Sequence, residues 1–426
     1  MGNRIIRYGD VRAISKKWLA GILVIVLPIS LISIRSCTIV RTRCAAPIDF
    51  GEKVSISGMS DIRSYIDDPD PVVMQKSLID SFKEEGSGDY PTNEFGIKTY
   101  PVLAVSGAGA NGAYGAGFLR GWSKEGSRPL FKIITGVSTG AFIAIYAFLG
   151  RDYDDRLESF FTTLATKDIM KRNNVFNILS EGSFMSSAPL IKKIASFVDE
   201  DLIARVAKEH KRGRRLFIGT VNLDAQEFVV WDMGAVACKG GPDSVKMFRK
   251  IILASNSLPM TFPPVYFKVV SASGDIYDEM HVDAGTMRGV FYIDRLTKNM
   301  EGAAKILGID PSKYRPQIYI LSNCSMSPIR QQVKKSLVAI SVRAIDTVVA
   351  SENSGDIYRL YANAKRRGLD FNLAYVPADF KPQLKELFDK KEMRRLFNRG
   401  YDDAISGYKW HKTPPGYEAE DDGPKN

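Results

Sequence analysis

Residues 100–147 read YPVLAVSGAGANGAYGAGFLRGWSKEGSRPLFKIITGVSTGAFIAIYA. An apolar run, residues 101–105, stops at Ser106-Gly107-Ala108-Gly109-Ala110-Asn111-Gly112, and a helix-like stretch over 113–124 follows. A second apolar run, residues 131–135, leads into Gly136-Val137-Ser138-Thr139-Gly140, after which an apolar helical stretch begins at Ala141. The order is strand, glycine loop, helix, strand, serine elbow, helix, the alternation of an α/β sheet.

The elbow has a mechanical reason. A nucleophile at the tip of a strand-to-helix turn needs strained backbone angles, and glycines two residues to either side let the chain double back. Ser138 would then head a helix whose N-terminal N–H groups favour developing negative charge. By itself the pattern also fits an idle turn serine; its place between an apolar strand and an apolar helix makes Ser138 the candidate nucleophile. Gly107, Gly109 and Gly112 also satisfy the dinucleotide fingerprint Gly-x-Gly-x-x-Gly. That fingerprint wants a carboxylate at the end of the next strand, where this chain has Gly136-Val137-Ser138. The loop therefore reads as an anion cradle facing Ser138, with its N–H groups aimed at an oxyanion.

The 426 residues are 45% hydrophobic, enough for one large domain or two modest ones, and the formal net charge is +11. That excess suits an anionic partner such as a lipid surface, or ordinary solubility charge. Basic clusters at 208–215 and 365–367 lack any nucleic-acid signature, so no nucleic-acid partner is expected. Cys37, Cys44, Cys238 and Cys324 form no Cys-x-x-Cys pair, and His210, His281 and His411 are scattered; no metal is expected. Cys238 and Cys324 are either buried thiols or a bridge.

Residues 1–17 are basic and residues 18–34 uncharged, the layout of a signal peptide or a short membrane anchor. Ile34-Arg35-Ser36-Cys37 resembles a bacterial lipobox, with Arg35 where a small or apolar residue is usual, so Cys37 is a candidate lipidation site. Lipoprotein signal, retained anchor and buried core helix all remain open; the first two put the protein at a membrane, in the bacterial cell envelope. The chain then divides into residues 1–44 as this segment, 45–97 as a polar linker with one short helix around 73–82, and 98–300 as the catalytic core. Residues 301–410 continue the α/β alternation, with a long helix over 331–350, and 411–426 form a disordered tail. Met185 and the aromatics near it read as core or as an acyl pocket.

Two bases compete for Ser138. A triad needs a histidine backed by a carboxylate, with His411 after Asp402 or Asp403, or His281 beside Asp283, as candidates. The alternative is Asp283 itself, at the end of the strand-like run 276–282. It would have to be a partly desolvated carboxylate within hydrogen-bond reach of the hydroxyl. So few histidines, none well placed, favour the carboxylate, although Asp283-Ala284-Gly285 alone would pass for a strand-ending turn.

Residues 106–112, 136–140 and 283–285, in that order, resemble the three signatures of the patatin-like phospholipase family, and residues 254–259, 262–264 and 220–224 support the likeness. The resemblance covers roughly residues 98–295. It implies a three-layer α/β/α fold on a mainly parallel central sheet and a Ser-Asp dyad that cleaves acyl esters of lipids through an acyl-enzyme, with no cofactor. Carried over, Ser138 is the nucleophile, Asp283 the general base, and the amides of Gly107, Ala108 and Gly109 the oxyanion hole. Asn111, Gly112, Gly136, Gly140, Ala284 and Gly285 complete the motifs. Ala108 stands where the family has glycine, Asn111 where it has a basic residue, and residues 286–289 lack its usual asparagine and proline. A histidine-dependent esterase on small esters and a non-catalytic lipid-binding envelope protein are the competing functions.

Overall fold

A computed structural model of the chain describes residues 43–46, 54–292, 301–383 and 386–417. By its internal contacts the chain divides into Met1–Cys44 and Ala45–Asn426, and every described strand and helix belongs to the second unit. Residues 1–42, with the anchor segment and Cys37, lie outside the described residues, as do 418–426 of the expected tail. No described helix is long and apolar enough to cross a membrane.

The strands are β1 (Ser55–Ile56), β2 (Arg63–Tyr65), β3 (Lys98–Val105), β4 (Ile133–Gly136), β5 (Lys171–Arg172), β6 (Met185–Ser186), β7 (Arg215–Asn222), β8 (Glu227–Asp232), β9 (Val265–Val270), β10 (Ile276–Asp283), β11 (Tyr314–Ser325) and β12 (Asp370–Val376). All but the small β5–β6 ribbon join one sheet. β12, β11, β3, β4 and β7 are its parallel centre. β10, β9 and β1 continue it antiparallel beyond β7, and β8, with β2, pairs along β7's other edge.

Strand alternation sends side chains to two cores. Leu103, Val105, Ile134 and Leu216 enter one; Val102, Ala104, Ile133 and Phe217 enter the other. Helices cover both faces, which gives the three-layer α/β/α arrangement. α1 (Val72–Glu84) packs Met74, Leu78 and Phe82 on the second core. α2 (Gly112–Glu125) and α3 (Thr139–Leu149) lie on the first, and α3 is buried from Thr139 to Phe148. α4 (Val175–Glu181) is a short surface helix, α5 (Gly241–Ser255) joins the first core, α6 (Leu337–Arg367) the second, and α7 (Lys390–Ile405) packs on α2. Gly117 and Gly121, one turn apart, let α7 approach so closely that a Cβ at Gly117 would collide with the Phe397 carbonyl.

The linker expected over 45–97 is, from residue 54 on, part of the domain. Its short helix exists, but β1 and β2 are sheet strands, too short for any alternation to show in sequence. The polar residues there are partners of buried charges: Glu85 takes Lys132 at 2.7 Å and Lys98 at 2.8 Å, and Glu84 takes Arg215 at 3.1 Å. At the other end, His411 exchanges backbone hydrogen bonds with Leu373 and the Tyr417 ring packs on Tyr361, so the described part of the expected disordered tail is docked. The long helix begins at Leu337 rather than 331 and runs 31 residues.

Candidate active site

β4 and β10 share one edge of β7, since β8 occupies the other. β4 runs parallel to β7 and ends with Gly136 opposite Ile218; β10 runs antiparallel and ends with Asp283 opposite Thr220. The two strands therefore point their C-terminal ends at each other along that edge, and the residue two beyond Gly136 meets Asp283 head-on. The Ser138 hydroxyl donates to Asp283 Oδ2 at 2.6 Å.

Each side of this contact is held. Ser138 caps α3 with φ 53° and ψ −129°, a left-handed conformation for a residue with a side chain, so the elbow stores strain. The turn closes because of its glycines: a Cβ at Gly140 would stand 2.5 Å from Ser106 O, and one at Gly136 2.6 Å from Gly140 O. The Ser138 amide donates to Ser255 Oγ at 2.9 Å. Asp283 is 3% exposed; its Oδ1 accepts the Gly285 amide at 2.8 Å and its own N–H reaches Ser257 O at 3.0 Å. Burial pushes its carboxyl up to about 7, against the opposing effect of the hydrogen bonds from Ser138 and Gly285.

The glycine loop lies against the serine: a Cβ at Gly107 would stand 2.7 Å from Ser138 Cβ. Of the three amides expected to form an oxyanion hole, that of Gly107 is already donated to Gly289 O at 3.3 Å. The amides of Ala108 and Gly109 have no acceptor among the described residues. Ala108 has φ 160° and ψ 33°, and Gly109, at φ +54°, occupies the left-handed region that favours glycine. Asn111 and Gly112 lead into α2, and the amide of Gly112 closes the short turn onto Gly109 O. Ala284 is buried and Gly285 supplies the hydrogen bond to Asp283.

Two residues that the motifs do not contain support this loop. Asn323, at the end of β11, gives its amide to Ser106 Oγ at 2.8 Å and its side-chain NH₂ to Ser106 O at 2.7 Å, and accepts the Gly115 amide. Asp356 of α6 accepts the Gly289 amide at 2.8 Å, and so holds the residue whose carbonyl takes Gly107. The sequence signal for Asn323 was a polar residue just past an apolar strand, where α/β sheets display functional groups; Asp356 gave none.

All three histidines stand elsewhere. His281 is fully buried between Thr220 Oγ1 at 2.9 Å and Glu279 at 3.2 Å. Burial lowers the pKa of His281, while Glu279, despite its own burial, is held ionised by the ring and by Arg63. The neutral ring therefore donates from Nε2 to Glu279 and accepts at Nδ1 from Thr220. His210 faces Asp232 at 3.6 Å, and the His411 ring packs on Tyr375. Cys238 and Cys324 are both free thiols, which closes the bridge alternative; burial pushes Cys324 up to about 12. Among the described residues no three His, Cys, Asp or Glu side chains gather as metal ligands.

Compared with known families, residues 103–292 match the model described as Patatin-like phospholipase. Among solved structures, the chain is similar to VipD from Legionella pneumophila at 10% identity and a TM-score of 0.33, over 75% of this chain and 69% of that one. No curated protein matches it.

Proposed function

From the patatin-like phospholipase domain that the chain carries over residues 103–292, we propose that this protein is a serine acyl hydrolase of lipid esters working through Ser138 and Asp283. As the Ser138 hydroxyl attacks the ester carbonyl, Asp283 takes its proton. The free amides of Ala108 and Gly109, aided by the N-terminus of α3, receive the oxyanion. Collapse expels the alcohol or lyso-lipid, which recovers the proton from Asp283 and leaves the acyl group on Ser138. Water, deprotonated by Asp283, then frees the fatty acid and restores the pair.

The observation that carries this reading is the 2.6 Å bond from the serine hydroxyl to a buried carboxylate, with each histidine placed elsewhere. A carboxyl at about 7 is ionised in a useful fraction at neutral pH and still basic enough to accept a proton. The test is fatty-acid release from a panel of phospholipids and simple esters by wild type, Ser138→Ala and Asp283→Asn. Both variants should lose roughly 10²–10⁴-fold. Undiminished release in Asp283→Asn would instead favour a histidine base.

The same reading places the protein at a membrane, held by residues 1–44 through a retained anchor or a lipidated Cys37, in a bacterial envelope. Fractionation of cells expressing the chain, with Cys37→Ser alongside, tests it: recovery in the soluble fraction would contradict it, and release only in the variant would select lipidation.

A further inference from the structure

Outside the Ser138–Asp283 pair, two helices each expose a group of three or more large apolar side chains. α4 presents Val175, Phe176 and Leu179, with Phe176 82% exposed. α6 presents Leu337, Ile340 and Val348, with Leu337 76% exposed. Positions 337, 340, 344 and 348 fall on one helical face. The face opposite is the one that buries Asn353, Asp356, Leu360 and Ala364 farther along. Past Val348 the outward face turns polar, with Ser351, Arg359 and Arg366 exposed along it. The outward face of one continuous helix thus changes from apolar to polar halfway. Core packing cannot explain the change, because Leu337, Ile340 and Val348 of the apolar half are exposed.

Both apolar stretches belong to the active-site end. α6 passes the base: Val349 lies 3.5 Å from the Cβ position of Gly285. The segment after α4 is tied by the Phe184 and Met185 amides to Met260 and Thr261. That loop follows Ser255 and Ser257, which bond Ser138 and Asp283. Both stretches are also preceded by exposed cations, Lys171 and Arg172 before α4, Lys334 and Lys335 before α6. No acidic residue occurs from 325 to 345.

We propose that α4 and the first half of α6 are the surface on which the protein seats itself on an anionic lipid bilayer. Their apolar side chains enter the acyl boundary, and Lys171, Arg172, Lys334 and Lys335 meet headgroup phosphates. Apolar helices with basic flanks lie in such interfaces without crossing them. The seat turns the Ser138–Asp283 end toward its substrate; the choice of a lipid partner rests on the hydrolase reading.

The test is hydrogen exchange on the full chain, followed at residues 171–181 and 329–350, with vesicles of phosphatidylcholine alone or mixed with phosphatidylserine. Both stretches should gain protection with the anionic vesicles only. In the variant Phe176→Ser/Leu179→Ser/Leu337→Ser/Ile340→Ser, hydrolysis of vesicle lipid relative to a soluble short-chain ester should fall at least about tenfold. No protection, or equal protection by neutral vesicles, would overturn the proposal. So would protection already present without vesicles, which would mean a second copy or the chain's own residues 18–34 cover the surface. Protection on anionic vesicles without hydrolysis of any ester would leave the surface standing and remove the hydrolase reading instead.

Discussion

Asp283 pays for its position with stability. An aspartate that ionises near 7 in the folded chain holds a proton that the unfolded chain has released from about 3.8 upward. Its contribution is therefore most favourable below that lower value and is lost as pH rises through about 7. Asp283→Asn should accordingly gain on wild type in thermal unfolding between pH 4 and 8, by a few kcal/mol at most, while losing activity. A gap that stays constant with pH would mean Asp283 is not shifted upward. On the proposed mechanism Asp283 acts ionised, so kcat/KM of wild type should rise with pH through about 7 and level off. The pair was legible because strand ends carry it: Ser138 follows an apolar run closed by Gly136, and Asp283 ends the strand-like run 276–282 ahead of Gly285. The state of Gly107 was not, because its amide is taken by Gly289, far along the chain.

At the level of elements, the glycine loop owes its shape to two partners that no local pattern announces. Asn323 and Ser106 are 217 positions apart, and only the pairing of β11 with β3 makes them neighbours. Asp356 acts one step further away, through Gly289. Asp356→Ala should lower kcat by about tenfold to a hundredfold with KM nearly unchanged, and Asp356→Asn, which keeps an acceptor, should restore most of it. Equal losses in both variants, with KM rising, would assign Asp356 to packing alone. The other misjudged element was residues 54–97, whose charges look like solvent-facing linker until their buried partners appear. Lys132 is 1% exposed beside Glu85, and Glu85→Gln would leave its ammonium short of its main counter-charge. Such losses cost about 3–5 kcal/mol, measurable by denaturant unfolding. A change below about 0.5 kcal/mol would mean that the segment is not integral to the domain.

Over the whole molecule, the alternation of strands and helices from residue 100 onward was enough to foresee an α/β sheet, and the family resemblance implied its cover of helices on both faces. What it could not convey is the antiparallel wing. β10 reverses direction and meets β4 end to end on β7, and that single topological feature converts two distant motifs into one site. Strand direction depends on how connections fold back in space, which periodicity does not encode. The long helix α6 unites the two scales. Its C-terminal half packs on the sheet and holds the loop through Asp356, and its N-terminal half lies exposed beside the Asp283–Gly285 turn.

The most direct measurement of the Ser138–Asp283 pairing is the rate at which a fluorophosphonate labels Ser138, followed against pH in wild type and in Asp283→Asn. Labelling should be confined to Ser138, rise through about pH 7 in wild type and fall by roughly 10²-fold or more in the variant. Labelling that proceeds as fast in Asp283→Asn, or a folded wild type that takes no label at Ser138, would contradict the pairing.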